Sequence, residues 1–150
     1  MANSWTTAET NAFNYLVTQT GDTSETTAFV GEYPASFADI ANAYMWMFAI
    51  PGGGEPDDVG AGQSYCGLNA DAIFDGVFTS RETAQAKAIT VKNLFPIASG
   101  TVAGLYDWRL KTEPLIERAV VQHRDPDQAT AGELRVWRLT IPMTCVVVAT

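Results

Sequence analysis

From Cys66 to Phe78 the chain keeps a strict period of two. Cys66, Leu68, Ala70, Ala72, Phe74, Gly76 and Phe78 alternate with Gly67, Asn69, Asp71, Ile73, Asp75 and Val77. Alternation of this kind predicts a strand with one drier face. Two stretches have helical period instead. Ala12, Phe13, Leu16 and Val17 fall on one stripe behind Thr6-Thr7-Ala8-Glu9, which has the form of a capping box with Thr6 as N-cap, and Thr20-Gly21-Asp22 stops that helix. Thr79-Ser80-Arg81-Glu82 is a second such box, followed by Ala84, Ala88, Val91 and Phe95 and closed by Pro96.

Other segments read as strands. Ala28 to Tyr33 is a short one, Val102 to Lys111 holds Tyr106 and Trp108, Leu115 to His123 is another, and Leu134 to Val148 is the longest. The last two are expected to pair antiparallel across a turn-rich connection. Phe37, Ile40, Ala41 and Tyr44 keep helical period, but the unbroken apolar run Tyr44 to Ile50 fits a helix or a buried strand equally. The fold class predicted is α+β in one domain over residues 1–150: an antiparallel or mixed sheet with helices packed on one face. Residues 51–64, with five glycines, two prolines and three acids, are expected to form a flexible acidic loop.

The strand from Leu134 would extend roughly 50 Å, against a diameter near ~38 Å for a domain of this size. It must bend, with Pro142 as the candidate site, or project. A projecting apolar end at Val146-Val147-Val148 would need a cover, from its own subunit or from a neighbour.

Charge adds a direction to this object. The first 80 residues hold ten carboxylates and no lysine or arginine, whereas all nine bases lie between Arg81 and Arg138 among seven further acids. The formal charge is thus −10 before Arg81 and +2 from there on. The net −8 opposes nonspecific nucleic-acid binding and attachment to an anionic membrane. No apolar stretch is long enough to span a bilayer and the first residues have no secretory pattern, so an intracellular origin is expected.

Reactive chemistry is sparse. His123 is the one histidine and reads as a strand-end residue. Cys66 and Cys145 read as reduced core thiols, and they cannot complete a usual zinc set with a single His. Gly60-Ala61-Gly62 lacks the third glycine of a dinucleotide fingerprint, because Tyr65 stands in its place, and no Gly-Lys-Ser/Thr occurs. Glu55, Asp57 and Asp58 do not have EF-hand spacing, and Asp71 and Asp75 are about 13 Å apart along a strand. No catalytic residue, metal or cofactor is therefore expected. Trp46 and Trp137 are expected in the core, and Trp5 is open between a staple on its own helix and an interface.

The order of elements resembles the tail terminator proteins of long-tailed bacteriophages. The likeness rests on the N-terminal capped helix, the strand Asp71–Phe78 running into Ser80–Ala86, the strand near Glu113–Arg118 and the tryptophan-bearing strand Val136–Met143. The resemblance implies a virion protein of the tail, made in the host cytoplasm, whose subunits close a hexameric ring. That ring caps the tail tube protein, presents a surface to the head-side connector, and lets DNA pass through its lumen. The family has no catalytic residues to carry over. Glu55, Asp57 and Asp58 are expected to line an acidic lumen. Arg109, Arg118, Arg135 and Arg138, together with Val146 and Val148, are the expected subunit-contact residues, the arginines meeting the acidic half of the next copy. Intrasubunit ion pairs are the competing use of each arginine. Another neck or tail-tube protein is the nearer rival reading, and a small cytosolic α+β enzyme or ligand binder the more distant one.

Overall fold

The computed structural model describes residues 4–33, 44–52, 56–57, 67–123 and 132–148. Among these residues two helices, α1 (Ser4–Thr20) and α2 (Arg81–Lys92), accompany seven strands: β1 (Ala28–Val30), β2 (Tyr44–Gly52), β3 (Pro56–Asp57), β4 (Gly67–Phe78), β5 (Leu105–Leu110), β6 (Leu115–His123) and β7 (Gly132–Val148). The strands form one sheet in the order β1-β2-β4-β7-β5, with β3 added beside β4 and β6 beside β7. Among the described strand pairs only β1–β2 is parallel, so the sheet is mixed and the α+β class holds.

Alternation along β4 sorts the sheet into two faces. Ala70, Ala72, Phe74 and Phe78 are buried with Trp46, Phe48 and Ile50 of β2, Leu139, Ile141, Met143, Cys145 and Val147 of β7, and Trp108 of β5. Ala8, Ala12, Phe13 and Leu16 of α1 and Ala84, Ala88 and Val91 of α2 close this core from one side. Both helical stripes face the core as their spacing predicts, although Val17 is only partly buried and α2 ends at Lys92, before Phe95. Gly76 belongs to the same face because a Cβ there would meet the Phe78 ring at 2.5 Å. Tyr44 and Phe78 stack at 5.3 Å between centroids, and Trp46 and Phe74 at 4.7 Å. On the other face, Met45, Val77 and Val136 make a smaller buried cluster with Phe29, Tyr33 and Ala119.

Several expectations need correction. The run from Tyr44 is a strand, extended through Pro51 to Gly52, and Pro56–Asp57 pairs with β4 at Leu68 and Gly67, so part of the expected 51–64 loop is sheet. Thr6 lies within α1 and is not its cap. Glu9 reaches across to β2, where its Oε2 accepts the Ile50 N–H at 2.8 Å. Trp5 Nε1 donates to the Ile50 carbonyl at 2.8 Å, so Trp5 fastens α1 to β2. The N-cap of α2 is Ser80, one residue later than expected, and its side chain makes no capping bond. The strand expected from Val102 begins at Leu105, and the strand at Ala28 ends at Val30. The helical spacing from Phe37 to Ala41 lies outside the described residues.

The long strand is paired without interruption through Pro142, and its C-terminal end does not project. Pro142 sits opposite Ile73 in an unbroken register from Gly67↔Val148 to Phe78↔Trp137. Val146 is flanked by Asn69 on one side and Tyr106 on the other, so β4 and β5 of the same chain cover that end. The overhang is at the opposite end. Among the described residues Gly132 to Val136 pair only with Ala119 to His123, so beyond the buried Val136 the ends of β6 and β7 run on as a two-stranded ribbon of roughly 13 Å.

Candidate assembly surface

The charge segregation along the sequence is partly resolved within the chain, by three ion pairs among the described residues. Lys87 Nζ is 2.7 Å from Asp22 Oδ2, Lys111 Nζ is 3.4 Å from Asp71 Oδ1, and Arg138 Nη2 is 2.8 Å from Asp75 Oδ2. Each of these joins an acid that precedes Arg81 to a base that follows it. The fold brings them together because β4 carries Asp71 and Asp75 into register with β7 and near β5, while α1 ends beside α2.

Asp22 is the most heavily engaged carboxylate. It accepts from the Tyr44 hydroxyl, from Trp46 Nε1 at 2.6 Å and from Lys87 Nζ. Burial alone would raise its pKa, but hydrogen bonds from Lys87, Tyr44 and Trp46, with the Lys87 charge, hold it below the ordinary carboxylate value. Burial and the bond to Asp22 push the Tyr44 hydroxyl up to about 12, and the Lys87 ammonium lies 4.7 Å over the Tyr44 ring. Every polar group in this cluster has a partner, so it works as a rivet between α1, β2 and α2.

The expected contact residues separate by face. Arg109 and Arg138 point to the face opposite the helices, where each is held by its own chain. Arg109 pairs with Asp107, two residues away across a bulge, and Arg138 grips Asp75 through Nε at 3.0 Å and Nη2 at 2.8 Å. The hydrogen bond and charge of Asp75 raise the Arg138 pKa further. The competing intrasubunit reading therefore describes Arg109 and Arg138. Arg118 and Arg135 point to the helix side of the ribbon, exposed and without an ion pair among the described residues. Arg118 and Arg81 both lie over the half-buried Trp137, at 5.0 and 5.6 Å from its ring centroid. Trp137 thus shares itself between the core and two guanidinium groups.

Val146 is half-buried on the face opposite the helices; the Val148 backbone pairs with Gly67, and its side chain is outside the described residues. Asp57 lies on β3 beside β4, whereas Glu55 and Asp58, like Cys66, are outside the described residues. Cys145 is a free, buried thiol, its pKa pushed up to about 12 by burial and by the Asp71 charge. His123 ends β6 opposite Gly132.

On the face away from the helices, a cleft of about 250 Å³ opens among Asn69, Asp71, Asp107, Thr144 and Val146. Its two carboxylates already have Lys111 and Arg109 as partners. Among the described residues no group of three or more His, Cys, Asp or Glu could hold a metal ion, and no helix is long and apolar enough to cross a membrane. The chain matches no protein-family model and no curated protein.

Proposed function

We propose that this protein is a structural subunit that works in a closed ring of identical copies, and that the ring is a phage tail terminator. In that role it sits in the virion tail, caps the tail tube, meets the head-side connector and lets DNA pass through an acidic lumen. The observation that carries the reading is the one-sided sheet. Both helices pack on one face, and on the other face Met47, Ile73, Pro142 and Val146 lie in a half-buried row along the three central strands. Among the described residues no helix covers that row. A broad sheet with one partly apolar side uncovered is suited to lie against a second body. The element order, with its long tryptophan-bearing strand, supports the particular choice of a terminator.

Native mass and negative-stain imaging of the purified protein, alone and with tail tubes, test the proposal. A single cap at one end of each tube is expected. Stacked rings formed unaided would point to a tube subunit, and a protein that ignores tubes altogether would overturn the assignment.

A further inference from the structure

We infer that the two opposite borders of the sheet are the two halves of one contact between copies of this chain: Arg81, Arg118 and Arg135 around Trp137 on one copy, against Glu25 and Glu32 beside β1 on the next. This rests on the ring-forming reading and names the residues that would join it.

The distribution of unpaired charge carries the inference. Eight lysines and arginines have described side chains, and five of them, Lys87, Lys92, Arg109, Lys111 and Arg138, are in ion pairs within the chain. The other three are Arg81, Arg118 and Arg135, which converge at one place. Arg81 comes from the first turn of α2, Arg118 faces Trp137 across the β6–β7 pair, and Arg135 is opposite Val120 one step further along the same face. Stacking on an indole holds a guanidinium in position while leaving its N–H edge free for a carboxylate. Arg118, Ala119, Val120 and Arg135 line a shallow groove here, and Val120 is 55% exposed. The site therefore combines fixed cations with an apolar floor.

The matching surface is at the far border. Glu25 and Glu32 flank β1, are exposed and have no ion pair among the described residues, and Val30 between them is 39% exposed. The Glu25 N–H donates to the Ala28 carbonyl at 2.8 Å and the Ala28 N–H to the Thr23 carbonyl at 3.2 Å. That turn closes much of the free edge of β1, so the contact is made by side chains and not by an added strand. Three strands, β2, β4 and β7, separate β1 from β6. At ~4.8 Å per spacing the two borders are roughly 19 Å apart, about twice the screening length in physiological salt, so they cannot neutralise each other within one chain. Two different surfaces of one chain that fit each other make a heterologous contact, the kind that closes rings. An overall charge of −8 makes a second copy a better occupant of the arginine site than nucleic acid.

Charge exchange tests this directly. Self-association would be followed by sedimentation equilibrium at low salt up to millimolar protein, with circular dichroism to confirm folding. Arg118→Glu with Arg135→Glu should weaken it about tenfold, as should Glu25→Arg with Glu32→Arg, and the chain carrying all four changes should recover it. Added salt should weaken the original protein in the same direction. Failure of the four-fold exchange to restore association, or a monomer under all these conditions, would overturn the inference, as would arginine-dependent binding of duplex DNA in place of self-association. Tube capping is scored separately. Capping that survives both reversals removes this contact but keeps the terminator reading, whereas rescued association without capping does the reverse.

Discussion

Arg138 and Asp75 meet across the β4–β7 pair in a two-pronged contact, the guanidinium half in solvent and the carboxylate side chain only 6% exposed. The asymmetry decides what Arg138 is for. Removing it strands a buried carboxylate whose neighbour Tyr33 spends its hydroxyl on the Asp75 carbonyl and not on the carboxylate. Arg138→Met should cost about 1–3 kcal/mol, a figure reduced for the exposure of the guanidinium. Urea unfolding of the isolated protein measures it. An unchanged midpoint would return Arg138 to the set of contact residues.

Asp22 and Lys87 are buried together, with side chains 4% and 11% exposed. Asp22→Ala leaves a buried ammonium with no counter-charge and should destabilise by about 3–5 kcal/mol, a fall of roughly 2–4 °C in Tm per kcal/mol. Replacing both residues with apolar ones should recover most of the loss.

The same carboxylate gives a pH dependence. Its folded pKa lies below the ordinary 3.8, so its contribution is complete above that value and is lost as pH falls through the folded one. Thermal unfolding between pH 7 and roughly pH 2 should show a steep acid limb that Asp22→Asn flattens. An equally steep limb in the variant would count against Asp22 as its source.

Gly76 lies under the Phe78 ring and beside the Trp46 Cβ. Gly76→Ala puts a methyl group 2.5 Å from the Phe78 ring, which must move out of its stack on Tyr44. A loss of about 1–3 kcal/mol is expected despite the better strand propensity of alanine, and Gly76→Ala with Phe78→Leu should regain part of it.

Cys145 should be close to inert in the folded protein. With its pKa at about 12, the thiolate fraction near neutrality is about a thousandfold below that of a free thiol. In a Cys66→Ser background, a thiol reagent should modify Cys145 only as fast as the sheet opens. Rapid labelling of the native chain would contradict the burial of this face.

For the proposed ring, changing Glu55, Asp57 and Asp58 together to lysine should impair DNA passage without preventing assembly, as measured by ejection from otherwise complete particles. Unchanged ejection would count against an acidic lumen built from these residues.

Much of this architecture is legible in the sequence wherever one residue's neighbours determine its environment. The alternation in β4 and the stripes of α1 and α2 follow from local period, and most of the expected residues are buried, Val17 and Phe95 only in part. The run from Tyr44 is ambiguous because β2 has neighbours on both sides and apolar residues on both faces, which erases the period. The two-residue strand β3 is too short to leave a pattern. Nor can sequence distinguish the four arginines of the C-terminal sheet. Arg138 meets Asp75 across 63 positions, and parity along β7 puts Arg135 and Arg138 on opposite faces, so their different uses emerge only once the register is fixed.

That register makes β7 a shared resource. Among the described residues, β5 and β6 have no ladder partner except β7, which follows both in the chain, and β4 needs β7 for its second edge. On a ribosome, half of the sheet must therefore wait, edges open, until β7 has emerged. Such a chain gains its stability late and through distant pairings, which makes its folding slow and leaves the unfinished sheet open to capture by chaperones.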